Sequence, residues 1–97
     1  MQPIATDFTE GNYRFTQVER RGDFAIYQQQ HRQAPGVIRY EVVKIRVQPE
    51  HTWPDGRTSP EREVYPSSSS WGTLGYTVYR IEEAQSLLAE WEQRDAD

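Results

Sequence analysis

Several groups of side chains in this 97-residue sequence have types and spacings that could do chemistry. The serine run Ser67–Ser70 supplies hydroxyls, and His31 or His51 could serve as its base. A working serine nucleophile needs a shaped turn to present it and an acid to orient the imidazole. No Gly-x-Ser-x-Gly string surrounds these serines and no acid is placed for that role, so a polar turn explains them without hydrolysis. Glu50, His51 and Asp55 carry oxygen and imidazole donors, but their spacing matches no metal motif and their loop is rich in proline. Cysteine is absent, which removes thiolate nucleophiles, disulfides and Cys-based zinc sites together. The expectation is a non-enzymatic protein with no cofactor and no metal.

Binding chemistry has more to draw on. Arg39, Lys44 and Arg46 lie on one apolar-patterned stretch and interleave with Tyr40, an arrangement that could stack and neutralise single-stranded nucleic acid on a sheet. Glu41 and Asp23 stand close by and offset part of that charge. The net charge is −4, and from Ile81 onward six acids face only Arg94, leaving −5 there and +1 on the remainder. Overall acidity opposes simple phosphate binding. Glu82, Glu83, Glu90 and Glu92 could instead mimic a nucleic-acid backbone, or form an ordinary solvated helix face. Trp53 stands in a polar loop with His51, Asp55 and Arg57, and Trp and Arg are typical anchors at protein interfaces. The competing reading folds Trp53 back over the core. Glu61 and Glu63, either side of Arg62, read as a solvent-facing strand edge.

These groups need elements to hold them. The longest apolar-patterned run, Val37–Val47, predicts a central strand, and its parity change at Val42-Val43 predicts a β-bulge there or, alternatively, partial cover on both faces. Tyr13–Glu19 and Asp23–Gln29 predict a hairpin turning at Arg20-Arg21-Gly22, with Phe24 and Ile26 on one face and Ala25 and Tyr27 on the other. Ala34-Pro35-Gly36 reads as a turn, and residues 1–12 as a loosely held arm. Pro49–Pro60 holds three prolines and no periodicity, so it reads as a long irregular loop. Glu61–Tyr65 predicts a short fourth strand, and Trp71 and Leu74 should plug the core edge. Ile81, Ala84, Leu88 and Trp91 recur at helical spacing, with Glu82 and Glu83 in the first turn and no standard N-cap. The predicted architecture is α+β: an antiparallel three- to four-stranded sheet with one C-terminal helix packed on a face. Its single domain spans 13–94 and ends in an acidic tail over 95–97. No apolar run is long enough to span a bilayer, and the N-terminal residues do not read as a secretory signal, so a cytoplasmic setting without membrane partners is expected.

Short motifs scattered from Tyr13 to Trp91 carry a resemblance. Gly22-Asp23-x-Ala25-x-Tyr27, Tyr40-Glu41-Val42-x-x-Ile45, Tyr65-Pro66-Ser67-Ser68, Trp71-Gly72-x-x-Gly75-Tyr76-Thr77 and Glu82-Glu83-Ala84 are similar to strings in small uncharacterised proteins of bacteriophages, prophages and plasmids. The acidic pair in those proteins follows a Thr-containing start, whereas Tyr79-Arg80-Ile81 intervenes here. The resemblance implies a mobile element acting in a bacterial cell, and an inhibitor of host defence of the anti-CRISPR type. The expected partner is then a bacterial nuclease or effector complex, bound by a monomer or small homo-oligomer. Candidate contacts are His51, Trp53, Asp55 and Arg57 in the loop, Arg39 and Arg46 on the strand, and Glu82, Glu83 and Glu90 on the helix. A single-stranded nucleic acid on the Arg/Tyr-bearing sheet is the alternative partner.

Overall fold

A computed structural model describes residues 1–96; Asp97, the last residue of the expected acidic tail, lies outside the described residues. The chain forms β1 (Asp7–Glu10), β2 (Tyr13–Arg21), β3 (Phe24–His31), β4 (Ala34–Lys44), β5 (Arg46–Gln48), β6 (His51–Thr52), β7 (Thr58–Ser59), β8 (Arg62–Val64), a 3-10 turn at Ser68–Ser70, β9 (Gly75–Val78) and α1 (Ile81–Ala96). The main sheet is antiparallel and five-stranded, in the order β1-β2-β3-β4-β9, with α1 packed on one face. It is thus one strand wider than the sequence suggests. One added strand comes from the N-terminal segment expected to be a loose arm: Asp7–Glu10 pairs with β2, and Arg14 forks onto Asp7 at 2.8 and 3.2 Å. The other is β9 on β4, because the strand expected over Glu61–Tyr65 forms β8, which pairs with β5 outside this sheet. The acids expected in a C-terminal tail begin inside α1, which continues through Ala96.

Period-two alternation sorts the strand residues onto two buried faces. Phe24, Ile26, Val42 and Val78 meet Ala84 and Leu88 of α1, with Ile81, Leu87 and Trp91 widening the contact. Phe15, Ala25, Tyr27, Val43 and Ile45 form the opposite face. Both faces being covered explains Val42-Val43, which pair in continuous register with Ile26 and Ala25 and carry no bulge. The bulge lies instead in β2, between Gln17 and Glu19, with Val18 as its extra residue. It shifts the parity of everything after it. Arg20, opposite Ala25, joins the aromatic face, while Arg21 reaches across to Glu92 of α1 at 3.2 Å.

The hairpin between β2 and β3 turns at Gly22, whose φ of +60° suits a residue without Cβ. β3 continues to His31, so the next turn is Arg32-Gln33 and not Ala34-Pro35-Gly36, which begins β4. Pro35 has no N–H to give the ladder, and the register is irregular here; its carbonyl accepts from the Gln30 side chain at 2.8 Å. At the other end of the chain, α1 starts at Ile81, where the Arg80 carbonyl accepts the Ala84 N–H at 3.1 Å. Among the described residues no helix is long and apolar enough to cross a membrane.

Candidate functional site

The stretch expected to be an irregular loop is an ordered arm. β5 pairs with β8 and β6 with β7, both antiparallel, so residues 46–64 make one long hairpin interrupted where Pro49 and Pro60 withhold N–H donors. At the tip, Trp53 N donates to the Arg57 carbonyl at 2.8 Å and Gly56 N to the Trp53 carbonyl at 3.0 Å. Gly56 has φ +92°, and Asp55 Oδ1 accepts the Arg57 N–H at 3.0 Å, which closes the turn. The Cα radius of gyration is 14.9 Å, against roughly 12.5 Å for a compact chain of this length. The principal extents of 46 × 41 × 21 Å show a flattened outline.

The arm's root is anchored. Glu63, read from sequence as solvent-facing, has a side chain only 15% exposed and accepts both guanidinium nitrogens of Arg20, at 2.9 and 2.6 Å. It also accepts the Ile4 N–H at 3.0 Å. Arg20 first and the Ile4 amide second hold its carboxyl well below the usual range, at about 2. Gln2 bridges the same strand, donating to the Glu61 carbonyl at 3.1 Å and accepting from Glu63 N at 2.9 Å. The bulge at Val18, the N-terminal segment and β8 therefore meet at one ion pair that fixes where the arm leaves the sheet.

The outer arm carries the exposed groups. Trp53 is 40% exposed; it does not fold back over the core. His51 stands edge-on to its ring at 4.7 Å between centroids, and the Arg57 guanidinium lies 5.3 Å from its centre. Asp55 Oδ2 holds Arg57 Nε at 2.7 Å. Four of the residues expected to bind a partner, His51, Trp53, Asp55 and Arg57, thus form one mutually braced cluster at the arm's end.

The remaining candidates are dispersed. Arg39 belongs to the aromatic face, 5.2 Å from the Tyr13 ring centre. Tyr40 packs on the helix face, where Lys44 pairs with Asp95 of α1 at 3.3 Å. Arg46 begins the arm. The expected Arg/Tyr-bearing surface is not one surface, because Tyr40 and Lys44 alternate with Arg39 to opposite sides of β4. On α1, Glu90 pairs with Arg94 and Glu92 with Arg21, while Glu82 and Glu83 lie exposed in the first turn with no ion-pair partner among the described residues. Glu82, Glu83 and Glu90 border a shallow groove with Tyr76 and Leu87. Ser67 Oγ lies 2.8 Å from Ser69 Oγ, and His31 Nδ1 accepts the Gln33 N–H, so neither group engages the other. Among the described residues no three His, Asp or Glu side chains are grouped as metal ligands.

A second feature escapes the sequence reading. On the aromatic face, a cleft of about 710 Å³ opens beside Tyr13, Tyr65 and Trp71, with Glu41 and Gln29 lining it. Glu41 is only 8% exposed. Its Oε1 accepts the Tyr65 hydroxyl at 2.5 Å, and its Oε2 lies 3.5 Å from the Thr77 hydroxyl, which in turn accepts the Trp71 indole N–H at 3.0 Å. Burial pushes the Glu41 carboxyl upward, against the two hydroxyl donors that favour its charge. The same burial and the neighbouring carboxylate push the Tyr65 phenol up. The signal was parity: Glu41 shares the strand face of Val43 and Ile45, so it points inward. Comparison with protein-family models, curated proteins and solved structures gives no match for the chain.

Proposed function

We propose that this chain is a non-catalytic protein-binding module that engages its partner with the tip of the β5–β8 arm. The observation that carries the reading is the half-exposed Trp53, braced by His51 and Arg57 at the end of a hairpin anchored through Arg20 and Glu63. An aromatic and an arginine held in place before contact bind with less ordering cost, the usual property of interface anchors. Charge supports a protein over a nucleic acid, since three arginines in residues 46–64 face four carboxylates. The narrower reading is a steric inhibitor of a bacterial nuclease or effector complex, encoded by a mobile element and acting in the host cytoplasm. Its support is the likeness of the scattered motifs to phage and plasmid proteins.

The test is affinity capture of the tagged protein from a nuclease-treated bacterial lysate with active defence systems, run beside Trp53→Ala and Arg57→Ala. A stoichiometric protein held by the wild type and lost from both variants, with unchanged melting temperatures, is the expected result. Retention of RNA or DNA alone, and only when nuclease is omitted, would overturn the reading.

A further inference from the structure

We propose that the aromatic-face cleft is a binding site for an organic cation, an alkylammonium or alkylguanidinium group that pairs with the Glu41 carboxylate. Three observations converge on it. First, the charged residues lining the cleft, Glu10 and Glu41, are both acidic. Second, Glu41 is buried with hydroxyl partners but has no cation within 4.0 Å among the described residues. A buried carboxylate with no cation in contact is costly, and one with two donors keeps acceptor capacity to spare. Third, the walls are aromatic: Tyr13, Tyr65 and Trp71 line the cleft, and aromatic rings attract cations through the negative potential of their faces. Tyr13 already makes such a contact within the chain, because Arg39 lays its guanidinium 5.2 Å from the Tyr13 ring centre. The volume of about 710 Å³ is in the range of small-molecule sites.

Acidity supports the same assignment. The groups facing Glu41 are Tyr27 opposite it on β3, Thr77 on β9, Tyr65, Glu10 from β1 and Arg39 on its own strand. Burial is the largest influence on Glu41 and raises it, while Tyr65, Thr77 and Arg39 act in the opposite direction. A bound cation would favour the charged form. Affinity therefore rises with pH as Glu41 ionises, and binding draws its titration back toward the ordinary carboxylate range.

The experiment titrates the full chain with n-butylguanidinium, following the Trp71 indole N–H by two-dimensional NMR at several pH values. n-Butylurea and butyrate serve as neutral and anionic counterparts, and a blocked arginine amide as the side-chain form of the same cation. The expected result is a saturable shift with the two cations only, tightening as pH rises. Tighter binding of the arginine amide assigns the cation to a protein side chain, and tighter binding of butylguanidinium to a free metabolite-sized ligand. Glu41→Gln keeps an acceptor for Tyr65 and should weaken binding about tenfold or more, as loss of a charge-assisted bond implies. Tyr65→Phe keeps the ring and the carboxylate and should retain binding. The proposal is overturned by the absence of a saturable shift at millimolar probe, by equal binding of butylurea, by undiminished binding to a folded Glu41→Gln, or by loss of binding in a folded Tyr65→Phe.

Discussion

The two faces of the central sheet are closed by different means. On one, a single amphipathic helix lays Ile81, Ala84, Leu88 and Trp91 over Phe24, Ile26, Val42 and Val78. On the other, Ile4 and Phe8 from the N-terminal segment, Tyr65 from the end of the arm and Trp71 after the serine turn arrive separately. Aliphatic side chains on a continuous element leave little space between them. Three independent segments cannot tile a surface so well, and large rings fill the area in their place. Phe8 stacks on Phe15 at 4.8 Å between centroids, and Tyr65 meets Tyr27 edge-on at 5.1 Å. Between these rings lie the polar groups of a row running across four strands, Gln17, Tyr27, Glu41 and Thr77. Tyr27 is satisfied on both sides, accepting from Gln17 at 3.0 Å and donating to the Ala5 carbonyl at 2.7 Å. The helix face therefore supplies stability, and the aromatic face holds both the cleft and the root of the arm.

The sharpest way to break this division is on the helix face. Leu88 is fully buried under the sheet, and Leu88→Ala should cost about 3 kcal/mol, the middle of the range for buried leucines. Urea unfolding followed by circular dichroism measures it. Hydrogen exchange should show α1 amides opening more readily, with the β1–β2 amides less affected. Uniform loss of protection would mean that the two faces unfold as one unit.

On the aromatic face, Gly75 meets Trp71 so closely that an added Cβ would collide with the indole. The ring is planar, stacks near Tyr65 and donates to Thr77, so it cannot swing aside without losing those contacts. Gly75→Ala should cost about 2 kcal/mol, as overpacking does. It should also shift the Trp71 indole resonance while leaving that of Trp91 in place. An unmoved Trp71 resonance would contradict the packing.

Arg20→Ala sharpens the comparison at the arm's root. The pair with Glu63 is part-buried, with side chains 29% and 15% exposed. Its loss should cost about 1–2 kcal/mol, below the figure for fully buried pairs because water still reaches both groups. The more telling readout is local: backbone order parameters in residues 46–64 should fall while those of β3 and β4 stay high.

How far the sequence led can be judged on the same elements. The helix was legible because Ile81, Ala84, Leu88 and Trp91 obey one period against one flat partner. The hairpin from β2 to β3 was legible because Gly22 separates two β-rich runs, although Arg20 and Arg21, read as part of the turn, end β2 and the bulge at Val18 breaks its alternation. The arm was not, since its prolines and short ladders erase any period, and its order comes from Arg20 and Gln2, far away in sequence. Trp53 was left between an exposed anchor and a cover over the core; it is exposed, and its bracing by His51 and Arg57 depends on a turn that only the structure displays. Glu41 was passed over because an acid between Tyr40 and Val42 reads as outward-facing. Counting parity from Val43 and Ile45 places it inside. The bulge was expected at Val42-Val43, where two covered faces produce the same pattern, whereas the real one at Val18 sits in a polar stretch that gives no warning.

Glu41 and Glu63 extend the comparison to acid–base behaviour, and with opposite signs. Glu63 titrates at about 2 in the folded chain against an ordinary 4.5. Across that interval the unfolded chain binds more protons, so stability is fully present above the ordinary value and is lost as pH falls toward about 2. Glu41 is raised by burial, so just above the ordinary carboxylate value the folded chain holds the extra proton. Its contribution is fully present at acid pH and is lost as pH rises through the folded value. Glu63→Gln should therefore flatten the acid limb of the stability–pH curve, and Glu41→Gln the descent above it. Each change should be small, about 1 kcal/mol or less after allowance for solvent access and neighbouring groups. Chemical denaturation of the two variants and the wild type over a series of pH values measures both slopes. If Glu41→Gln left the higher limb unchanged, Glu41 would be an ordinary carboxylate, and the aromatic face would hold its charge as comfortably as the surface does.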